Sequence, residues 1–462
     1  MAELKIKKND TFIAEIEDIT NLGFGVARYR GKVVFIADAV PGGTAEIKII
    51  KVGASFCVGK VTEYIGYSGH RTENRCDNDK CRACAYKKVH ILLEKQLKES
   101  FVKNEFKKAG LPDVKVLPLT LSPKENEYRN KAQYPISKSS DGKIKIGFFA
   151  PKSHNVCEAA DCPLSPAVFS EILETLRSFF EENNVSVYNE ESGEGLLRHI
   201  YLRRGEISGE ILLTIVINGE SLPYSEKLTS LITEKFPAIV GILTNENTKN
   251  TNVILGEKYK TLYGRDYIYD TLAGVKLKLS APAFYQVNHG TAELIYARAK
   301  ELAKLTKKDT LLDLFCGAGS IGLSMASDAE RVIGIEIVPE AIACAKENAK
   351  ENGINNACFF AGDAADTEKL LAEAEKELGK ITPDVIILDP PRAGCDEKLL
   401  NYTASLNPKR IVYVSCNPTT LARDMKYMQG LGYISDTVEI FNMFPLTGHV
   451  ESLACLRQTK AR

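Results

Sequence analysis

The sequence predicts a multidomain chain. It reads as an N-terminal OB-like β-barrel, a central α+β region carrying a cysteine cluster, and a C-terminal α/β unit on a Rossmann-like parallel sheet. Three observations predict this. At 462 residues the chain exceeds what one core organises, so two to four domains are expected. Its first part reads as short strands broken by glycine and proline. From about residue 271, strand-like runs alternate with helical ones, the mark of a parallel sheet. The boundaries fall at 1–66, 67–270 and 271–462.

In the first unit, Phe12 to Glu17 alternates as a half-buried strand does. Asn21 to Ala27 is a glycine-punctuated turn into another strand. Lys32 to Ile36 and Ala45 to Ile50 follow, separated by Pro41-Gly42-Gly43. Short strands at this spacing suggest a small barrel, and OB-type barrels commonly bind RNA, although a barrel without a ligand fits the pattern equally. The central unit holds helix-like basic runs near Lys87 to Lys108 and an apolar strand at Glu210 to Ile217. Between Thr62 and Lys108, eleven Lys or Arg stand against seven Asp or Glu. Such a run is usually a solvated face; next to a barrel it also suits an RNA-facing one.

In the third unit, strands are expected at Thr310 to Leu314, Val332 to Ile335, Ala357 to Ala361, Val385 to Leu388 and Ile411 to Val414. Helices are expected from Gly317 to Ala326 and from Pro339 to Asn352.

The composition, 44% hydrophobic and 26% charged, is that of a soluble globular protein. Sixty basic and sixty acidic residues exclude a globally basic nucleic-acid binder but leave room for a local footprint. Residues Met1 to Lys8 lack the apolar core of a signal peptide, and no run approaches a membrane span, so a cytoplasmic location is expected. Twelve cysteines in that compartment are buried thiols, metal ligands or nucleophiles rather than a disulfide framework.

Asp313-Leu314-Phe315-Cys316-Gly317-Ala318-Gly319-Ser320 follows a strand and opens a helix. Glycines there permit a tight turn and close approach of a ligand. Glu336 ends the next strand, where a carboxylate takes ribose hydroxyls, and Asp363 follows the strand beyond, at the height of an adenine ring. The loop lacks the third glycine of a dinucleotide site, so S-adenosylmethionine fits better than NAD. Either acid alone would read as a solvated strand end.

Two further strand ends carry chemistry. Asp389-Pro390-Pro391-Arg392 closes one, its prolines fixing the backbone beyond it. Ser415-Cys416-Asn417-Pro418 closes the next, placing Cys416 where ligands gather in open parallel sheets. A thiolate there is a competent nucleophile, helped by the helix opening near Pro418; the alternative is a small buried apolar side chain. Glu451, in Gly448-His449-Val450-Glu451, is a candidate base, and His449 a proton shuttle or a packing residue. Cys57, Cys316, Cys344, Cys358, Cys395 and Cys455 read as packing residues.

Taken in order, FYQVN (284–288), DLFCGAGS, DPPRAG, SCNP and GHVES resemble the RNA (uracil-5)-methyltransferases, which act on transfer RNA and large-subunit ribosomal RNA. The N-terminal segments Gly23 to Ala27, Lys32 to Ile36 and Asp38 to Gly42 resemble a TRAM domain, which points to the 23S ribosomal RNA branch. The resemblance implies a class I methyltransferase domain, with Cys416 as nucleophile and Glu451 as base. It further implies a cofactor site lined by Gln286, Phe315, Ser320, Glu336, Asp363 and Asp389. Members often carry Asn where Ser320 stands and varied residues where Asp363 stands.

Cys76, Cys81 and Cys84 form C-x4-C-x2-C, with Cys162-Pro163 downstream. Four such thiolates suit a [4Fe–4S] cluster or a tetrahedral zinc, though the spacing is not a zinc ribbon's. The ribosomal branch carries a comparable set with a first gap one residue longer, which implies the iron–sulfur cluster here. Cys157 rivals Cys162 as fourth ligand. Three other functions stay open: a transfer-RNA methyltransferase, a non-catalytic RNA-binding assembly factor, and a radical S-adenosylmethionine enzyme. The last normally shows C-x3-C-x2-C and leaves one iron free.

Overall fold

The structure, a computed structural model, describes residues 5–459 apart from 74, 75, 77, 79, 152, 160 and 161. Six N-terminal strands form one sheet in the order Thr11–Glu15, Thr44–Val52, Phe56–Gly66, Lys32–Ala37, Phe24–Tyr29, Asp18–Ile19. The two end strands are consecutive in sequence. The stretch from Thr11 to Ile19 pairs first with Thr44–Val52, then with Phe24–Tyr29, and so closes the sheet on itself. Ile16, Val34, Ile36, Ile47 and Ile49 fill the interior.

The central sheet has seven strands in the order Val156–Glu158, Ile144–Phe149, Lys131–Lys138, Leu197–Arg204, Ile211–Ile217, Ile239–Glu246, Lys258–Gly264. Helices Ala167–Glu182 and Ser225–Lys235 cover one face with Phe169, Ile172, Leu176, Phe180, Leu228 and Ile232. Ile211–Ile217 is buried at every position, which is why it reads as an unbroken apolar run.

The C-terminal sheet runs Ala357–Ala361, Arg331–Glu336, Thr310–Leu314, Val385–Leu388, Arg410–Ser415, Glu451–Gln458, Thr437–Phe441. The first five are parallel; Glu451–Gln458 runs antiparallel to both its neighbours, so Thr437–Phe441 points the same way as the five. The expected strands all form. Its edge is completed from outside the C-terminal stretch by Lys115–Val116, parallel to Thr437–Phe441. Helix Ile91–Lys108 belongs there too, burying Val102 and Phe106 in the core around Leu312, Ile386 and Ile411. A hairpin, Tyr267–Leu272 with Val275–Ser280, packs its Leu277 and Leu279 beside the opposite face of the same sheet. Among the described residues, no helix is long and apolar enough to cross a membrane.

Candidate active site

Leu314 stands between Ile335 and Leu388, and Leu388 stands beside Tyr413. The segments after these residues therefore emerge at one edge: Phe315 to Ser320, Glu336, Asp389 to Arg392, and Cys416. Ser415 pairs with Ser452 across the antiparallel strand, which brings Glu451 to the same edge beside Cys416.

The glycine turn is held from both sides. Glu336 accepts hydrogen bonds from the Gly317 and Val338 amides at 3.1 and 3.0 Å. Phe315 has φ +79°, uncommon for a bulky residue and a sign of backbone strain. Gly319 at φ +82° turns the chain into helix Ser320–Met325. Ser320 Oγ lies 2.8 Å from the Tyr296 hydroxyl. Asp363 is exposed and caps its own turn through the Ala365 amide at 2.9 Å. Gln286 is half-buried, its carbonyl accepting from Asn130 Nδ2 at 2.8 Å, which ties this segment to the central sheet.

The sheet edge is acidic. Asp389 is partly covered, and desolvation pushes its carboxyl up to about 7. Buried Asp313 is also raised to about 7, by desolvation first and then by Asp389 and Glu336. One Asp313 oxygen accepts from the Gly322 amide at 3.1 Å, and the other is buried without a partner. Clustered carboxylates with an orphaned oxygen fit a cationic ligand, and S-adenosylmethionine carries a sulfonium and an ammonium. Asp313 and Tyr296 were missed as site residues. Asp313 stood at the head of the glycine motif, whereas Tyr296 lies mid-helix with no motif to mark it.

Cys416 is half-buried between the strand end and helix Pro418–Gly430. Desolvation raises its thiol, Glu451 and Asp389 add to this, and Arg392 opposes it by charge and by hydrogen bond. Arg392 is thus the cation that favours the thiolate; the sequence showed it only as the end of DPPR. Asn417 fixes the corner: its carbonyl oxygen caps the helix at Thr419 N (3.2 Å) and its amide donates to the Arg392 carbonyl at 2.9 Å. Glu451 is buried, and its carboxyl lies well above the ordinary range through desolvation and the charge of Asp389, with Arg392 opposing. His449 is exposed and lies edge-on to Phe444; partial desolvation and the charges of Arg392, Lys98 and Arg129 lower its pKa.

The loop that delivers Glu451 is anchored by a buried network. Glu94 accepts from Lys98 Nζ at 2.8 Å, from Asn442 Nδ2 at 3.1 Å and from the Leu446 amide at 3.2 Å. Lys98 also donates to Asn442 Oδ1 at 2.6 Å and to the Phe444 carbonyl at 3.1 Å. Removing one partner strands the other charge. Lys98→Met is therefore expected to destabilise the protein by about 3–5 kcal/mol, read from its denaturant midpoint, with Glu94→Leu added on top recovering much of the loss. The barrel reaches the same loop. A Cβ on Gly448 would overlap the Asn21 carbonyl, and one on Gly23 the Ala85 carbonyl.

Cys76, Cys81, Cys84 and Cys162 line one cavity of about 250 Å³ with Lys87, Arg129 and Lys131. Burial pushes the Cys84 thiol up to about 12, with Cys162 and Cys81 adding to it. Cys157 is buried nearby and its charge is felt at Cys81. Among the described residues, no three His, Cys, Asp or Glu side chains are gathered as ligands of a metal ion.

A sheet of this order, with a glycine turn pinned by an acidic strand end, defines an S-adenosylmethionine-dependent methyltransferase. Comparison with known proteins narrows the class. The family model for tRNA (uracil-5-)-methyltransferase matches residues 92–459. Uncharacterised RNA methyltransferases of Oceanobacillus iheyensis and Clostridium acetobutylicum are each 38% identical, with 98% of this chain and of theirs covered. The structure of Pyrococcus abyssi tRNA (uracil-54, C5)-methyltransferase with S-adenosyl-L-homocysteine gives a TM-score of 0.76 at 26% identity, covering 96% of this chain and 100% of that one. The chain belongs to the RNA uracil-5-methyltransferase family and is an RNA methyltransferase.

Proposed function

We propose that the protein methylates carbon 5 of a uridine, most directly in 23S ribosomal RNA, through a transient bond between Cys416 and the base. The observation that carries this is the placement of Cys416, Glu451, Asp389 and Arg392 at one sheet edge beside the glycine turn. Carbon 5 of uracil is a poor nucleophile. The Cys416 thiolate adds to carbon 6, and the base becomes an enolate whose carbon 5 is nucleophilic. Bound S-adenosylmethionine supplies the electrophilic methyl group. Glu451 then takes the carbon-5 proton, the carbon–sulfur bond breaks, and Cys416 leaves as thiolate, so one proton is released per methyl transferred. Gln286, Phe315, Ser320, Glu336, Asp363 and Asp389, with Asp313, are the residues proposed to hold the cofactor. The target base must leave its stack, which costs a few kcal/mol.

The ribosomal reading rests on the likeness of residues 1–66 to a TRAM barrel and on the cysteine set. A transfer-RNA substrate is the second reading, and one observation favours it. The Pyrococcus abyssi enzyme, described as acting on transfer RNA, is matched along its whole length over 96% of this chain, so a barrel of this kind does not by itself select ribosomal RNA. Mapping 5-methyluridine in both RNAs from a deletion strain tests the two: loss from 23S RNA supports the first, loss only from transfer RNA the second, and loss from neither refutes both.

Cys76, Cys81, Cys84 and Cys162 are proposed to hold a [4Fe–4S] cluster. Four thiols around one cavity, faced by Lys87, Arg129 and Lys131, support an anionic cluster. It would tie the cysteine loop to the central sheet, and methyl transfer needs no redox step from it. Protein purified without oxygen should contain iron and sulfide in equal amounts, and Cys84→Ser should lose most of both. Iron-free protein under those conditions would refute the assignment.

A further inference from the structure

The central sheet has a second polar cavity that no step above uses. It measures about 560 Å³ and lies at the end of strand Lys131–Lys138, against Phe149, Tyr188 and His199. Strand Lys131–Lys138 presents Lys131 and Gln133 near the cysteine cavity, then Pro135 and Ser137 in this one. His199 is opposite Pro135, and Tyr201 opposite Gln133. Four residues of strand, about 13 Å, separate Lys131 from Pro135. Arg203, beside Lys131, donates to the Ala281 and Ala283 carbonyls just before the FYQVN segment. Asn130, just before the same strand, donates to the Gln286 carbonyl, so strand Lys131–Lys138 links the cavity to the segment that carries Gln286.

Its walls combine an aromatic surface with unused polar atoms. Phe149 is 39% exposed and lies 5.3 Å, centroid to centroid, from His154. His154 Nδ1 is 2.5 Å from Glu190. His199 is 9% exposed, and its Nδ1 is buried with no partner. Arg198, 6% exposed, stacks over Tyr188 at 4.4 Å; two of its bonds go to the Asn247 and Lys249 carbonyls, and its Nε has no partner. A bulge between Leu197 and His199 turns these two neighbours toward the same cavity. Burial and the charge of Arg198 lower the His199 pKa to about 4, so near neutrality its ring offers one donor and one acceptor. Orphaned polar atoms in a wall usually mark a missing partner.

We propose that this cavity holds an unstacked nucleobase of the RNA strand flanking the target uridine, gripped by its ring face on Phe149 and by its edge on His199. The proposal rests on the RNA being threaded past Cys416. A base suits the site better than a phosphate, because Glu190 and Glu191 line the cavity and would repel an anion. Exposed Lys138, beside them, suits the phosphate that follows. A ring face on an aromatic side chain is worth about 1–3 kcal/mol to binding and tolerates any base.

The test uses the full-length protein with ribosomal and transfer RNA from a strain lacking the gene. Ultraviolet crosslinking followed by peptide mapping should mark the peptide that carries Phe149. Phe149→Ala should lose that crosslink and raise KM for RNA about tenfold with kcat unchanged, and Phe149→Tyr should restore both. Tyr263→Ala, an exposed aromatic on the far strand of the same sheet, is the control and should change neither. A KM shift for Phe149→Ala no larger than the control's, or crosslinks only elsewhere while wild type methylates the RNA, would overturn the proposal. Wild-type protein that neither methylates nor crosslinks either RNA would overturn the RNA path itself.

Discussion

Cys416→Ala is expected to abolish methyl transfer to RNA, with the rate falling by about four orders of magnitude or more, while the fold persists. On the proposed route the substitution removes the atom that activates the base. It leaves a side chain that fits the half-buried corner, because Cys416 caps nothing: Ser415 and Asn417 hold the turn. Single-turnover transfer of labelled methyl groups measures the loss, and equilibrium binding of S-adenosylhomocysteine checks that the pocket survives. Retention of even a tenth of the rate would exclude the covalent route.

Glu451→Gln is expected to slow turnover by about 10²–10⁴-fold and to leave RNA attached to the protein. Glutamine keeps the shape and cannot take the carbon-5 proton, so addition and methylation proceed while elimination stalls. A protein–RNA band that survives denaturing electrophoresis is the readout. Wild-type turnover carries a pH signature of the same residue. The Glu451 carboxyl is raised by burial and by Asp389, so it stays protonated above the ordinary carboxylate range and is then no base. Turnover should therefore rise with pH as both Glu451 and the Cys416 thiol deprotonate, and Glu451→Gln should lose the Glu451 step while keeping that of the thiol. A rate that is flat with pH, or a variant that turns over freely, would remove Glu451 from the mechanism.

Much of this site was legible because parallel strands buried on both faces are apolar throughout, so their ends stand out as the first polar residues after each run. The ends of Thr310 to Leu314 and Val385 to Leu388 and the turn at Cys416 were readable for that reason. Other features were hidden by the same physics. The strand Phe56–Gly66 mixes exposed and buried positions, because its pairing with Thr44–Val52 slips at three places, and no clean alternation survives. Lys115–Val116 is two residues long and is a strand only because an edge awaits it. Glu94 and Lys98 have the i, i+4 spacing of a solvated helix pair, yet both are buried. Their meaning depends on Asn442, far away in sequence, and no local pattern reports that. Cys76, Cys81 and Cys84 stood out by their spacing and Cys162 by the proline after it, and the four line one cavity.

The borrowed edge strand has a consequence for how this molecule could be divided. Residues 91–116 lie before the central sheet in sequence, yet they finish the catalytic sheet and bury part of its core. A fragment starting at residue 271 would present Thr437–Phe441 as an open edge above an uncovered apolar patch, a template for self-association. The central sheet is thus an insertion within the catalytic unit rather than a preceding module. A chimera that grafts a new RNA-recognition element onto this enzyme has one natural seam, just after Gly66, where the barrel's last strand ends.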